Sequence, residues 1–435
     1  MLSLDVFRTD GPLASARDLY ASGQKVIHIK DPRIQEPDGI WAVIGYDLVR
    51  RVLADTKQFS NAPVLDAICP VSAQAGQFLA GLPHGRRSVV ASNPPEHDRM
   101  RDILMKAFPH TRSEVKRIWG PVVARRVNAL IDELDNATRL DLTDVAARLT
   151  VQVIGEVLDL PDEDQHDWRV NVDSFAELAW SNPDDRAQYA DAKNSKELWE
   201  YVLRQVRQRT LPGASGKGFI ADLLCYRDRN GNALSLEQIA LELLNMLGAG
   251  WKTNAAAICH TIELALAEPG IWARLAVDEQ YLEAVVAEAL RMLSPLGGWQ
   301  RRTTTAVTIA DVTIPADSRV LLMLGAANLD PSVFDDPEQF DPERPKARAH
   351  LAFGFGPHRC LGEQLALLVI TMLVRALARR YPHLQPDPAS PQGYKASAVV
   401  VERDKLLVTT GTPSGCPVAS TNQAGVSGSP VDGNG

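Results

Sequence analysis

The sequence predicts a mainly α-helical fold with a small β component, built as a single domain. Apolar residues recur at helical spacing over most of the chain. β-Branched residues gather in one short region, Thr303 to Leu324, that is broken by turn signals. No internal repeat and no interdomain linker divides the sequence.

The 435 residues are 45% hydrophobic, enough for a sizeable core. A balance of 46 basic against 54 acidic residues, net −8, points away from nucleic acid as a partner. Met1 to Asp10 carries Asp5, Arg8 and Asp10 and holds no apolar run suited to a signal peptide or membrane span. Five cysteines, at 69, 225, 259, 360 and 416, are scattered and odd in number. They read as reduced thiols of a cytoplasmic protein with no membrane anchor, not as a disulfide framework.

In chain order, Ile40 to Ile44 reads as a strand and Tyr46 to Ala54 as the helix after it. Pro94-Pro95 opens a helix to about Phe108, with its prolines in the first turn, where they are tolerated. Helical patterns follow at 113–135, 142–158, 163–180 and 186–209. Ser235 and Gln238 have capping-box spacing at the start of the longest pattern, 235–267. Shorter helices are expected between Gly270 and Leu293, short strands with turns at Ala310-Asp311 and Pro315-Ala316-Asp317 after Thr303, and a structured coil at 328–350. After Leu407 the composition turns to Ser, Gly, Pro, Asn and Val with almost no charge. The expected division is a domain over 1–408 and a disordered tail over 409–435.

One cysteine stands apart from the rest. Phe353-Gly354-Phe355-Gly356-Pro357-His358-Arg359-Cys360-Leu361-Gly362 is a glycine-rich loop that ends on a cysteine, followed by an apolar helical run to Leu377. Glycines at 354 and 356 let the backbone approach a flat cofactor and aim N–H groups at sulfur. A helix beginning at the cysteine would favour the thiolate through its free amides and dipole. A lone buried cysteine is usually only a small hydrophobe. Here the whole pattern Phe-x-x-Gly-x-x-x-Cys-x-Gly is present, and it resembles the haem-binding loop of the cytochromes P450. The order of elements resembles that fold from about residue 14 to 408.

Other segments fit the resemblance. Glu288 and Arg291, three apart on a helix, followed by Arg344, resemble the family's buried Glu-Arg-Arg cluster and imply a structural role. Without the resemblance they would be an ordinary surface pair, contributing ~0–1 kcal/mol. His97 and Arg101, four apart, with Arg301 and His358, match the family's contacts to the haem propionates. Two carboxylates enclosed with the haem need such cationic donors. Phe353 and Gly354 belong to the same cofactor loop.

Leu247-Gly248-Ala249-Gly250-Trp251-Lys252-Thr253-Asn254 resembles the oxygen-side segment of the family's long helix. Ala249 and Gly250 match, with Gly250 expected to leave room for oxygen, and Thr253 is the hydroxyl implied to help deliver protons. Lys252 stands where the family has an acid, and Asn254 replaces a second threonine. Lys252 either donates protons, as a poor reversible relay, or pairs with acids on overlying helices such as Asp184, Asp185 or Asp191. Leu296, Gly297, Trp299, Met246 and Val399 fall at positions that face substrate in the family, Gly297 making room there. The segments 65–82 and 175–180 fall in similar regions.

The resemblance implies a haem-thiolate monooxygenase carrying haem b (iron protoporphyrin IX), with Cys360 on the iron. It would insert one atom from O2 into a small organic substrate by hydroxylation, epoxidation or oxidative dealkylation. Electrons would come from a ferredoxin or flavodoxin with an NAD(P)H-dependent reductase, since the chain shows no flavin or nicotinamide motif. Lys106, Lys346, Arg348 and Arg359 would form a basic patch for that partner. A peroxide-driven peroxygenase and a haem-based ligand sensor are the competing readings.

Overall fold

The computed structural model describes residues 9–83, 88–214, 216–228 and 230–411. Helix α1 (Pro12–Ala21) leads into β1 (Val26–Ile29), β2 (Ile40–Val43), α2 (Tyr46–Ala54) and β3 (Phe59–Ser60). Next come α3 (Ala73–Leu79), α4 (Glu96–Ala107), α5 (Arg112–Ile118), α6 (Gly120–Glu133), β4 (Arg139–Asp141) and α7 (Leu142–Val157). The upper helices are α8 (Gln165–Trp180), α9 (Asp185–Gln208) and α10 (Phe219–Cys225). The centre is α11 (Leu236–Gly250) and α12 (Lys252–Ala267), followed by α13 (Ile271–Leu275) and α14 (Glu279–Met292). Strands β5 (Trp299–Thr303), β6 (Val307–Ile309), β7 (Val312–Ile314) and β8 (Arg319–Leu322) precede α15 (Leu324–Ala327), α16 (Glu363–Arg380), β9 (Gln385–Pro386) and β10 (Leu407–Thr409).

Local chemistry explains many of these boundaries. Thr111 and Ser235 each form a reciprocal capping box, with Glu114 and Gln238. Asp141, Asp184 and Asp278 cap α7, α9 and α14 by accepting a backbone N–H. Ala310 and Asp311 both have positive φ, as the tight turn between β6 and β7 requires.

Three expected helices differ. The pattern at 113–135 is two helices, because Gly120-Pro121 starts a new one after Trp119. The pattern at 235–267 breaks at Trp251, whose φ of −109° and ψ of −51° separate α11 from α12. The helix after the cysteine starts at Glu363, not at Cys360. At the C-terminal end β10 includes Thr409, and Thr410 bonds to the carbonyls of Thr138 and Ala137. The remainder of the expected tail, 412–435, lies outside the described residues.

The main sheet runs β1-β2-β8-β5-β3, with β2 and β8 parallel and the other pairs antiparallel. Smaller sheets are β4-β10-β9 and β6-β7. Helix α12 is buried almost all round, from Ala255 to Ile262, which marks it as the axis of the core. It packs on α7, α14 and α16. Among the described residues no helix is long and apolar enough to cross a membrane.

A buried ionic cluster ties α14 to the coil that leads to the cysteine loop. Glu288 and Arg291 are both fully buried and pair through two bonds of 2.8 and 2.7 Å. Glu288 Oε1 accepts from Arg344 Nε at 3.0 Å and from the Asp341 backbone N–H at 3.2 Å. Arg291 donates to the Asn328 carbonyl at 2.9 Å, and Asn328 Oδ1 accepts the Leu351 amide at 2.6 Å. The coil at 341–351 is thus held by charge and backbone bonds at both ends. Glu288→Gln would leave two cations without their counter-charge, one of them fully buried. We expect a loss of about 3–5 kcal/mol in denaturant unfolding, whereas an exposed control such as Glu338→Gln should shift stability by less than about 1 kcal/mol.

Candidate active site

An enclosed cavity of about 280 Å³ lies between α4, α7, α8, the α11–α12 joint, the cysteine loop and the start of α16. Cys360 opens onto it and is the only cysteine among its described lining residues. The loop that presents Cys360 is closed by its own backbone. Cys360 N–H donates to the Phe353 carbonyl at 2.9 Å, Gly354 N–H to Leu351 at 2.8 Å and Arg359 N–H to Gly356 at 3.1 Å. Gly354 and Gly356 have φ of +71° and +76°, a conformation that L side chains rarely adopt. Gly354 lines the cavity with Phe353, but Gly356 is pressed against α2, where an added Cβ would meet Ala54 Cα at 3.0 Å. Burial pushes the Cys360 thiol up, while the Gly362 amide, Arg101 and Arg359 favour the thiolate. The amide at Gly362 therefore does what a helix starting at the cysteine was expected to do.

His97, Arg101, Arg301 and His358 all line this cavity. The rings of His97 and His358 lie 3.9 Å apart. Arg301 is 1% exposed, and one of its terminal nitrogens has no partner, as is true of Nε2 of both histidines. Burial lowers Arg301 to about 9 and, with the neighbouring cations, His358 to about 2. Among the described residues, the only carboxylate bonded to this group is the exposed Asp98, on His97 Nδ1 at 2.8 Å. Such a cluster requires buried anions. Beside a cysteine that opens onto the same space, the two propionates of a haem fit that requirement, and these four residues would hold them.

The floor opposite α8 is the α11–α12 joint. Thr253 Oγ1 donates to the Ala249 carbonyl at 2.9 Å, and both residues line the cavity with Gly250. A Cβ on Gly250 would meet Ile154 of α7 at 2.6 Å. Its missing side chain therefore also lets α7 pack against the joint. Gly248, by contrast, has open space where a side chain would go.

Lys252 is 6% exposed and faces three carboxylates, Glu402 at 3.3 Å, Asp173 at 3.4 Å and Glu177 at 3.6 Å. Its partners lie on α8 and in the C-terminal segment, not at Asp184, Asp185 or Asp191, which belong to the start of α9. Burial alone would lower the Lys252 pKa, but Glu402, Asp173 and Glu177 hold the ammonium above its ordinary value. Burial raises the Asp173 carboxyl despite Lys252. Arg169, also on α8, stacks over Trp251 at 5.3 Å. Arg169, Asp173 and Glu177 are spaced four apart, so one face of α8 meets both residues of the joint. The spacing was present in the sequence, but nothing in it indicated that this face meets Lys252.

The family model for cytochrome P450 matches residues 163–409. Cytochrome P450 monooxygenase PikC of Streptomyces venezuelae is 32% identical over 366 residues, 82% of either chain. The 6-deoxyerythronolide B hydroxylase of Saccharopolyspora erythraea is 31% identical over 375 residues, 84% of this chain and 87% of that one. This chain belongs to the cytochrome P450 family. Among solved structures, cytochrome P450 CREJ in complex with (4-ethylphenyl) dihydrogen phosphate superposes with a TM-score of 0.83 at 27% identity, over 93% of this chain and 98% of that one. With the family come its cofactor, haem b, and its chemistry: the chain is a haem-thiolate monooxygenase.

In this P450 the expected substrate-facing residues divide. Leu296, Trp299 and Met246 line the cavity, as do Leu65, Phe175 and Trp180. Gly297 and Val399 do not; they line a smaller cavity beside α1. The Gly297 amide donates to the Val399 carbonyl at 2.8 Å, and a Cβ on Gly297 would meet Val401 at 2.9 Å. That glycine makes room for a backbone contact, and the neighbouring residue, Val400, reaches the main cavity instead. Asn245 and Val172 also line the cavity, and no motif in the sequence marks them.

The Lys252 geometry makes a prediction about coupling and stability together. Lys252→Met should cost about 1–3 kcal/mol, less than a fully enclosed pair, because Asp173 and Glu177 keep some contact with solvent. Lys252→Asp should cost more. Because the folded-state pKa of Lys252 is raised, its stabilisation is complete below the ordinary lysine value of 10.5 and is lost only as pH climbs through the raised value. The Lys252→Asp protein should give no more product per NAD(P)H than the unmodified one, while Thr253→Ala should give less. A gain in coupling from Lys252→Asp, without loss of melting temperature, would contradict the ion-pair role.

Proposed function

We propose that Cys360 is the iron ligand, that His97, Arg101, Arg301 and His358 hold the propionates, and that Thr253 handles protons on the substrate side. The observation that carries this reading is one cavity onto which a single cysteine, a cationic cluster lacking counter-anions and a helix joint bearing Thr253 all open. Haem on a thiolate supplies reductive activation of O2 and transfer of one oxygen atom, the sulfur lending electron density that favours O–O cleavage. Gly362 N–H stabilises the sulfur charge. Thr253 Oγ1 donates its proton to the Ala249 carbonyl, which leaves its lone pairs to accept a hydrogen bond from a proton donor in the cavity. Lys252 fixes α8 to the joint and takes no part in the transfer. Apolar walls exclude water from the reacting centre and suit an organic substrate with a largely hydrocarbon skeleton. Relatives are named as hydroxylases, and hydroxylation is the reaction that this reading favours.

The proposed electron source is a ferredoxin or flavodoxin with an NAD(P)H-dependent reductase, in the cytoplasm. Of the expected basic patch, Lys106 pairs with Asp102 at 2.6 Å and Arg359 with Glu363 at 2.8 Å. Arg348 shares Glu283 with Arg112, two cations on one anion, and Lys346 has no ion-pair partner among the described residues. The uncompensated charge therefore centres on residues 346 and 348.

Two measurements test this proposal. The reduced carbon monoxide complex should show the strongly red-shifted Soret band of a thiolate-ligated haem, and Cys360→His should abolish it while far-ultraviolet circular dichroism stays unchanged. Persistence of the band would move the ligand elsewhere. Reversing charge at Lys346 and Arg348 together should slow reduction by an acidic partner about tenfold at low salt, with the difference fading once the Debye length falls to about 8 Å at physiological ionic strength. Substrate spectra should not change. Turnover with partners and NAD(P)H, set against turnover with peroxide alone, separates the reading from a peroxygenase.

A further inference from the structure

We infer that Asn245 is a specificity-determining residue that hydrogen-bonds an oxygen function on the substrate, so that this P450 selects an apolar skeleton bearing a ketone, hydroxyl or amide group. The inference rests on the monooxygenase reading above and adds the substrate class. Asn245 lines the main cavity from α11, and its side chain has no hydrogen-bond partner among the described residues. An amide offers two donors and two acceptor sites. Asn245 is half-buried at the cavity wall, and once a ligand fills that space its amide is best satisfied by a matching group on the ligand.

Most other polar groups of the cavity are already engaged. Lys252 is taken by three carboxylates, Thr150 by the carbonyls of Ala146 and Ala147, and Trp180 Nε1 by Val64. The cationic cluster would hold the propionates, and Trp299 lies two residues from Arg301 on the same strand. Asn254 also has a buried, unpartnered oxygen, but it is the neighbour of Thr253 and belongs to the joint.

Asn245 lies elsewhere. It lies on α11, on the far side of the break at Trp251 from Thr253, between Leu244 and Met246, which also line the cavity. Helix α8, which packs against α11, supplies Val172, Phe175 and Ala176 to the lining of the same cavity. One amide in such a wall does not set affinity for the skeleton; it sets orientation. A substrate oxygen held at Asn245 would turn a carbon some distance away towards the reacting centre, which fixes both the class of molecule accepted and the position oxidised.

The test uses the haem-loaded protein and matched cyclic probes, cycloalkane against cycloalkanone and cycloalkanol, at ring sizes from six to about fifteen carbons, sized to a pocket of this class. Dissociation constants are read from the substrate-induced Soret shift, which reports binding without turnover. The unmodified protein should bind the oxygenated member about tenfold more tightly at its best ring size, as one well-made hydrogen bond allows. Asn245→Leu, which keeps the volume and removes the amide, should bring the two within about twofold, mainly by weakening the ketone and alcohol. Asn245→Gln should keep a preference. Equal affinity in the unmodified protein, no binding by any probe, or an undiminished preference in Asn245→Leu would each overturn the inference. A normal red-shifted carbon monoxide band in the same preparations would show that the haem–thiolate reading survives such a failure.

Discussion

A positive charge taken out of water must find a negative one, and that constraint organises this molecule from its scaffold to its site. Glu288 meets it for Arg291 and Arg344, and in doing so fixes the coil at 341–351 against α14. The cysteine loop starts where that coil ends, so the position of Cys360 depends on an ion pair whose carboxylate belongs to a different element. At the site, the same constraint is met in two other ways. Lys252 has an excess of carboxylates. The His97–Arg301 group has almost none within the protein, which makes it receptive to a doubly anionic cofactor.

The two kinds of interaction divide the labour. Van der Waals packing around α12 supplies cohesion, since Ala255 to Ile262 contact neighbours on nearly all sides. Charge supplies register, because each buried cation accepts few geometries. The break at Trp251 lies between these regimes: α11 ends beside the cavity, and α12 begins with the charged Lys252 and runs into the core.

Where function follows from short contiguous patterns, the sequence was readable. Cys360, the capping box at Ser235, the positive-φ turn at Ala310-Asp311 and the Glu288–Arg291 pair all express local rules with few alternatives. What was misread depends on partners far away in the chain. Gly297 lies under Val401, away from the main cavity, and that neighbour cannot be inferred from a motif. Lys252 was recognised as out of place, yet its partners at 173, 177 and 402 come from two distant segments. The single pattern at 235–267 concealed a break because every residue across it favours burial, and hydrophobic periodicity does not register a change of backbone angle at one tryptophan. Asn245 escaped notice for the opposite reason: nothing local distinguishes an amide that faces a cavity from one that faces solvent.

One face of α8 carries Arg169, Asp173 and Glu177, and all three rest on Trp251 and Lys252. Contacts that share a face and a footing part together. The helix that roofs the chamber and the joint that bears Thr253 are in this respect one mechanical part, so whatever displaces the roof is felt at the next residue along from Lys252. A guest bulky enough to shift α8 would therefore strain the joint one residue from Thr253.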